Sequence, residues 1–266
     1  MSDYKALDFD VKDRVGTITM NRPEIRNAFS DDLKDDFLKL FRDLQYRSDI
    51  GAIVLRGSGG VFSGGGNLKS LNESEQTPVE KRRRIQSLHD WYQLYFNLEI
   101  PVIAAVDGAA YGGGFALALG ADFVLCSDRA RLCCVFSRIG LVPDVGALFT
   151  LPRIVGLQRA KELAMTNRPV FAEEAKELGI AMEVYPSETL YDEADKLARR
   201  LCKSSTAAQG LTKKILNQSF NLDANALIEM EASAQGLLLS TDYNAEALAS
   251  FVNKTPLAFN WEKLED

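Results

Sequence analysis

Between residues 14 and 140 the chain repeats one arrangement: a short β-branched run that ends in a turn, then a stretch with helical character. The strand-like runs are VGTITMN (15–21), GAIVLRG (51–57), PVIAAVDG (101–108) and DFVLCSD (122–128), each bounded by turn residues. The stretch SDDLKDDFLKLFRDLQYRSD opens on Ser30, a good helix N-cap, and repeats apolar residues at Leu33, Phe37, Leu40, Phe41 and Leu44. That spacing predicts an amphipathic helix. PVEKRRRIQSLHDWYQLYFNL predicts a second, with Lys81 to Arg84 as a solvated first turn. Beyond residue 140 strand signals nearly vanish, and helical periods run through 156–166, 172–179, 188–203, 205–219 and 223–253. The expected fold class is α/β. Residues 1–200 would form its core, and the helices of 201–266 would bury their apolar stripes on that core or on a neighbouring subunit.

A chain of 266 residues with 46% apolar and 26% charged side chains has ample material for a hydrophobic core. Its net charge of -6 opposes nucleic acid and anionic membrane surfaces as partners. The N-terminus shows no basic segment followed by an apolar one, and no apolar run reaches the ~18 residues of a membrane span, so a cytoplasmic location is expected. Cys126, Cys133, Cys134 and Cys202 form no C-x-x-C pair and no zinc spacing with the single histidine, His89. They read as reduced core residues, and no metal site is expected.

Two glycine-rich turns follow strands: SGGGNLKSL (63–71) and AYGGGFALALG (110–120). Neither is a phosphate-binding P-loop, which ends Gly-Lys-Ser/Thr, and neither gives the G-x-G-x-x-G of a dinucleotide site. A strand, a glycine turn and a helix start do share backbone N–H groups that point out of the helix N-terminus. Two such turns facing one point would make an oxyanion hole, and glycine would let a ligand atom approach the main chain.

The segments NRPEIRNAFS (21–30), GGVFSGGGNLKSL (59–71), IPVIAAVDGAAYGGGFALALGADFVLCSDRARL (100–132) and IGLVPDVGALFTLPRIVGLQRAKELAMTNRPVFAEEAKELGIAMEVYP (139–186) resemble the enoyl-CoA hydratase/isomerase, or crotonase, superfamily. The likeness runs over nearly the whole chain to SFVNKTP (250–256). It implies a spiral of ββα units with C-terminal helices that assemble homotrimers, often paired into hexamers. It also implies acyl-CoA thioester substrates, with coenzyme A entering as part of the substrate and no metal or redox cofactor. By that resemblance the oxyanion hole is formed by the amides of Gly66 and Gly113, and the CoA moiety is held near Arg26, Ala28, Gly64, Gly65, Asn67 and Leu68.

The chain departs from the family's hydratases at two informative positions. Where they carry glutamates, this chain has Ala116 and Phe136, neither of which can move a proton to or from water. A carboxylate stands at a third position, Asp144, where several isomerases and the 4-chlorobenzoyl-CoA dehalogenases of the superfamily carry an acid. Asp144 could be a first-turn capping residue; catalysis is the preferred reading, because a carboxylate in an apolar cleft has a tunable pKa. One carboxylate suffices for a 1,3 proton shift, so an enoyl-CoA isomerase is expected. Hydration, a dehalogenase-like reaction and acyl-CoA binding without turnover are the alternatives. The dehalogenase branch places a histidine where this chain has Gln93 and a tryptophan where it has Phe136, and His89 reads as an incidental surface residue. Ala116, which offers only space, and Trp91 and Phe136 are candidates to line the acyl pocket.

Overall fold

The computed structural model describes residues 4–68 and 76–263. Its main sheet has six strands in the order β1-β2-β3-β4-β6-β9: β1 Leu7–Lys12, β2 Val15–Met20, β3 Ala52–Gly57, β4 Val102–Val106, β6 Phe123–Ser127 and β9 Glu183–Tyr185. Only β1 runs antiparallel to its neighbour; the β2–β3, β3–β4, β4–β6 and β6–β9 pairs are parallel. A second sheet holds β5 Ala109–Tyr111, β7 Arg131–Cys133 and β8 Val170–Phe171. Lone bridges Ser63–Ala110 and Phe29–Gly66 continue it. β2, β3, β4 and β6 therefore each deliver the chain from their C-terminal ends to a short stretch of this second sheet. That is the ββα spiral the sequence leads one to expect.

Helices cover both faces. On one, α1 Asp31–Leu44 and α2 Pro78–Phe96 pack with α3 Gly113–Leu119 over Ile53 and Leu55. Ser30 caps α1 by accepting the Leu33 amide at 3.2 Å, and Leu33, Phe37, Leu40, Phe41 and Leu44 are buried as the periodicity requires. Thr77 and Glu80 form a reciprocal capping box on α2. On the opposite face α7 Leu190–Leu201 packs Leu190, Ala194, Leu197 and Ala198 onto Val15, Val54, Ile103 and Leu125. Strand parity sorts these residues, since alternate side chains of a strand point to opposite faces.

Beyond residue 140 lie α4 Ala147–Val155, α5 Leu157–Thr166, α6 Ala172–Glu177, α8 Thr206–Leu216, α9 Ala224–Leu238 and α10 Asp242–Val252. Two short strands, β8 and β9, occur among them; at two and three residues they are too brief for alternation to reveal them. The single helical period expected over 223–253 is broken before Thr241, whose hydroxyl accepts the Asn244 amide at 3.3 Å and starts α10. Helix α8 is fastened to the body by Lys213–Asp122 and Lys214–Glu99 ion pairs, each 2.8 Å. Helices α9 and α10 bury no residue. Among the described residues no helix is long and apolar enough to cross a membrane, and no cluster of His, Cys, Asp and Glu has the makings of a metal site.

Candidate active site

The segment after β2 is knotted to the segment after β3 by Asn27, which is wholly buried. Its amide nitrogen donates to the carbonyls of Ser58 (3.0 Å) and Val61 (2.8 Å), while its own carbonyl accepts the Ser63 hydroxyl at 2.8 Å. The Gly64 amide then donates to the Arg26 carbonyl at 2.8 Å, and the Phe29 amide to the Gly65 carbonyl at 2.7 Å. Arg26, Ala28, Gly64 and Gly65 are thus brought together, with the Arg26 side chain exposed and Ala28 buried. Gly66 and Leu68 lie on the surface of the same turn, beside Asn67. Residues 69–71 of the glycine motif fall outside the described residues.

The second glycine turn is laced to the first. The Tyr111 amide donates to Ser63 O at 2.9 Å, and the Ser63 amide to Ala109 O at 3.0 Å. A methyl group built on Gly65 would stand 2.4 Å from Tyr111 O and 2.9 Å from the Gly113 nitrogen, so the two main chains are in contact and only glycine fits between them. Gly112, the residue before α3, adopts φ 53° and ψ -118°, a region that side chains with a Cβ avoid. Gly113 is buried and backed by the Phe29 ring, 2.8 Å from where its Cβ would be. Among the described residues neither the Gly66 nor the Gly113 amide has a hydrogen-bond partner. Two free donors on adjoining turns, one of them at a helix N-terminus, favour an anionic oxygen.

Asp144 is tied to this region through Cys134 and His89, with which its carboxyl interacts electrostatically. The Gly112 amide donates to Cys133 O at 2.9 Å, and Cys134 is next in the chain. Burial pushes the Cys134 thiol up to about 12, with help from the negative charges of Cys133 and Asp144. The Phe136 ring lies 3.8 Å from the position of a Gly112 Cβ, on the hydratase position it occupies in sequence. Ala116, the other such position, is wholly buried. Burial raises the Asp144 carboxyl above the usual carboxylate range, while the charge of His89 acts to lower it.

His89, read in the sequence as an incidental surface residue, is half-buried on α2 and its charge acts to lower the Asp144 carboxyl, whereas Gln93 is exposed. One helical turn separates the two positions, and it is the position of His89 that α2 turns toward the 144–146 loop. Tyr92, three residues on and so on the same helix face, confirms the orientation: its hydroxyl lies 2.3 Å from where a Gly146 Cβ would be. That i, i+3 spacing was the available signal for His89 and Tyr92. Trp91, expected in the pocket, is instead 1% exposed and packs against Phe37, Phe29 and Phe41 with ring centroids at 4.9, 5.6 and 6.3 Å. It supports Phe29, which in turn backs Gly113.

The family model described as Enoyl-CoA hydratase/isomerase matches residues 10–263. The chain is 33% identical over 244 residues to 4-chlorobenzoyl coenzyme A dehalogenase-1 of Arthrobacter sp, covering 91% of this chain and 88% of that protein. It is also 33% identical over 251 residues to 1,2-epoxyphenylacetyl-CoA isomerase of Escherichia coli (strain K12), with 92% and 95% covered. A solved enoyl-CoA hydratase/isomerase from Cupriavidus metallidurans CH34 superposes with a TM-score of 0.93 at 40% identity, over 98% of both chains.

Proposed function

The chain belongs to the enoyl-CoA hydratase/isomerase family, and from that premise we propose that it is an enoyl-CoA isomerase, shifting the double bond of a 3-enoyl-CoA into conjugation with the thioester. Coenzyme A enters as part of the substrate, held along Arg26, Ala28, Gly64, Gly65, Asn67 and Leu68. The amides of Gly66 and Gly113 donate to the thioester oxygen, which gains negative charge when the alpha proton leaves. Asp144 takes that proton and returns it at the gamma carbon, so the carboxylate is regenerated and atoms balance. Both carbons lie on one extended acyl chain, within reach of one carboxylate. The observation that carries this reading is a carboxylate of raised pKa on a chain that lacks both hydratase glutamates, having Ala116 and Phe136 in their place.

The decisive assay uses 3-hexenoyl-CoA and crotonyl-CoA with wild type and Asp144→Asn. Isomerisation should fall by about 10²–10⁴-fold in the variant, with ester binding retained by calorimetry. Hydration of crotonyl-CoA at a comparable rate would sink the proposal. Because the ionised carboxylate is the base, kcat/KM falls as pH drops through the raised Asp144 value, placing the acid limb above the ordinary aspartate range. His89→Gln removes a charge that holds this value down and should move the limb to higher pH.

A second reading is favoured by His89. A carboxylate with a histidine nearby could attack an aromatic carbon bearing chlorine, expel chloride and form an aryl ester, which water drawn by the imidazole then hydrolyses. Chloride release from 4-chlorobenzoyl-CoA separates it from isomerisation. The same proposal assigns α9 and α10 to homotrimer or hexamer contacts, supported by exposed Ile228, Leu237, Leu248 and Phe251. Four free, buried cysteines suit a reducing compartment such as the cytoplasm.

A further inference from the structure

The sheet face that carries α7 is apolar at the N-terminal ends of its strands and polar at their C-terminal ends. Following the parity that faces α7, β2 reads Val15, Thr17, Thr19; β3 reads Ala52, Val54, Arg56; β4 reads Ile103, Ala105 and then Asp107. Ser127 ends β6 in the same way. Such a change serves no core purpose, since burying polar groups at a sheet edge is costly unless they are partnered.

Of these, Thr19, Arg56 and Asp107 line a cavity of about 380 Å³, together with Arg129, Tyr191 and the turn Gly57–Gly60. Two guanidinium groups are held in place there by their own scaffolds. Asp107, its side chain 5% exposed, grips Arg129 through two bonds, Nε to Oδ1 at 2.7 Å and Nη2 to Oδ2 at 2.6 Å. Arg56 donates from Nε to Thr19 Oγ1 at 3.0 Å and lies over the Tyr191 ring at 4.9 Å, while the Tyr191 hydroxyl is fixed on Gly57 O at 3.0 Å. Among the described residues the terminal nitrogens of Arg56 and Nη1 of Arg129 have no partner, and the buried Ser58 hydroxyl has none either. The amides of Gly59 and Gly60 are also free among the described residues. Both residues take φ near +70°, which glycine alone adopts freely. A methyl on Gly60 would stand 3.0 Å from Arg129 Nη2, so glycine keeps this floor open.

We propose that this cavity is a second ligand site, for a tetrahedral oxyanion of the phosphate class, separate from the acyl-CoA site. The lining holds two arginines and one carboxylate, with Asp128 also acting on Arg129 from outside it, on a chain of net charge -6. Pre-fixed guanidinium forks match phosphate geometry, and the position at the carboxyl ends of parallel strands is where open α/β sheets take ligands. The separation follows from strand parity: Phe29, Phe115, Phe136 and Val145, the chain neighbours of the glycine turns and of Asp144, belong to the core on the α1 and α2 side, whereas Tyr191, over which Arg56 lies, packs with the cluster under α7.

The test is calorimetric titration of the full chain with inorganic phosphate and, in parallel, with adenosine 3′-phosphate, each with and without saturating butyryl-CoA. Saturable binding at one site per chain that butyryl-CoA leaves in place is expected. Arg56→Gln should weaken it at least tenfold while butyryl-CoA affinity stays unchanged. Arg56→Lys, which keeps the charge and loses the fork, should weaken it by less and serves if Arg56→Gln does not fold. Tighter binding of the ester than of phosphate identifies a phosphorylated metabolite as the ligand; the reverse order identifies free phosphate. The proposal is overturned by no saturable binding, by wild-type affinity in both variants, or by displacement with butyryl-CoA, which would make the anion that of the acyl-CoA site.

Discussion

Helices α1 and α9 are nearly equal in length, at 14 and 15 residues, yet α1 buries six residues and α9 none. The difference is one of pattern. In α1 the apolar residues recur on one face and charged residues fill the other, so a single orientation satisfies both. In α9, ANALIEMEASAQGLL, small and apolar residues run around most of the circumference, and no one face commits it to the body. Apolar area left uncovered by the chain's own core needs another surface, which is why α9 and α10 are assigned to association in the proposed function. The body, by contrast, closes on itself, and its tolerance of change should differ accordingly.

The largest expected contrast is at Phe37, wholly buried beneath Trp91 and Phe41. Phe37→Ala should cost about 3–5 kcal/mol in denaturant unfolding; a cost below ~1 kcal/mol would mean that the aromatic stack is not the closed core described above. Next is Gly114, where an added Cβ would meet Ser63 O at 2.4 Å. Gly114→Ala should cost about 1–3 kcal/mol and lower acyl-CoA turnover, because it pries the two glycine turns apart. The smallest effect is of opposite sign. Nothing lies within 4 Å of a Cβ built on Gly236 in α9, so Gly236→Ala should stabilise the chain by about 0.5–1 kcal/mol through helix propensity. Were Gly236→Ala instead destabilising, with a smaller species in sedimentation, a second copy would be packed against that spot in solution.

The two sides of the active site were unequally legible in the sequence. The turn residues around Gly66 and Gly113 could be read directly, because the pattern is local: a strand end, a run of glycines and a helix start. Asp144 was legible only as a carboxylate on a loop of family-like sequence. Its environment is built by α2, about fifty residues earlier in the chain, and a one-turn choice on that helix decides whether His89 or Gln93 faces it. Trp91 was misassigned for a similar reason. On a helix covered on several sides, spacing cannot tell a pocket wall from the aromatic layer beneath it.

By itself, the sequence determined the α/β alternation, the capped helix at Ser30 and the glycine turns, each of which depends on residues a few positions apart whose sterics, hydrogen bonding and periodicity act within one element. The absence of both hydratase glutamates was legible only through the resemblance to the family. Tertiary structure alone decided that Gly65 lies against Gly113, that Tyr92 meets Gly146, and that Arg56, Arg129 and Tyr191 line one cavity. Those meetings join segments up to 135 positions apart, as Arg56 and Tyr191 are. They are set by how strands pair in register and which face each helix covers, a collective outcome of core burial that no local pattern records.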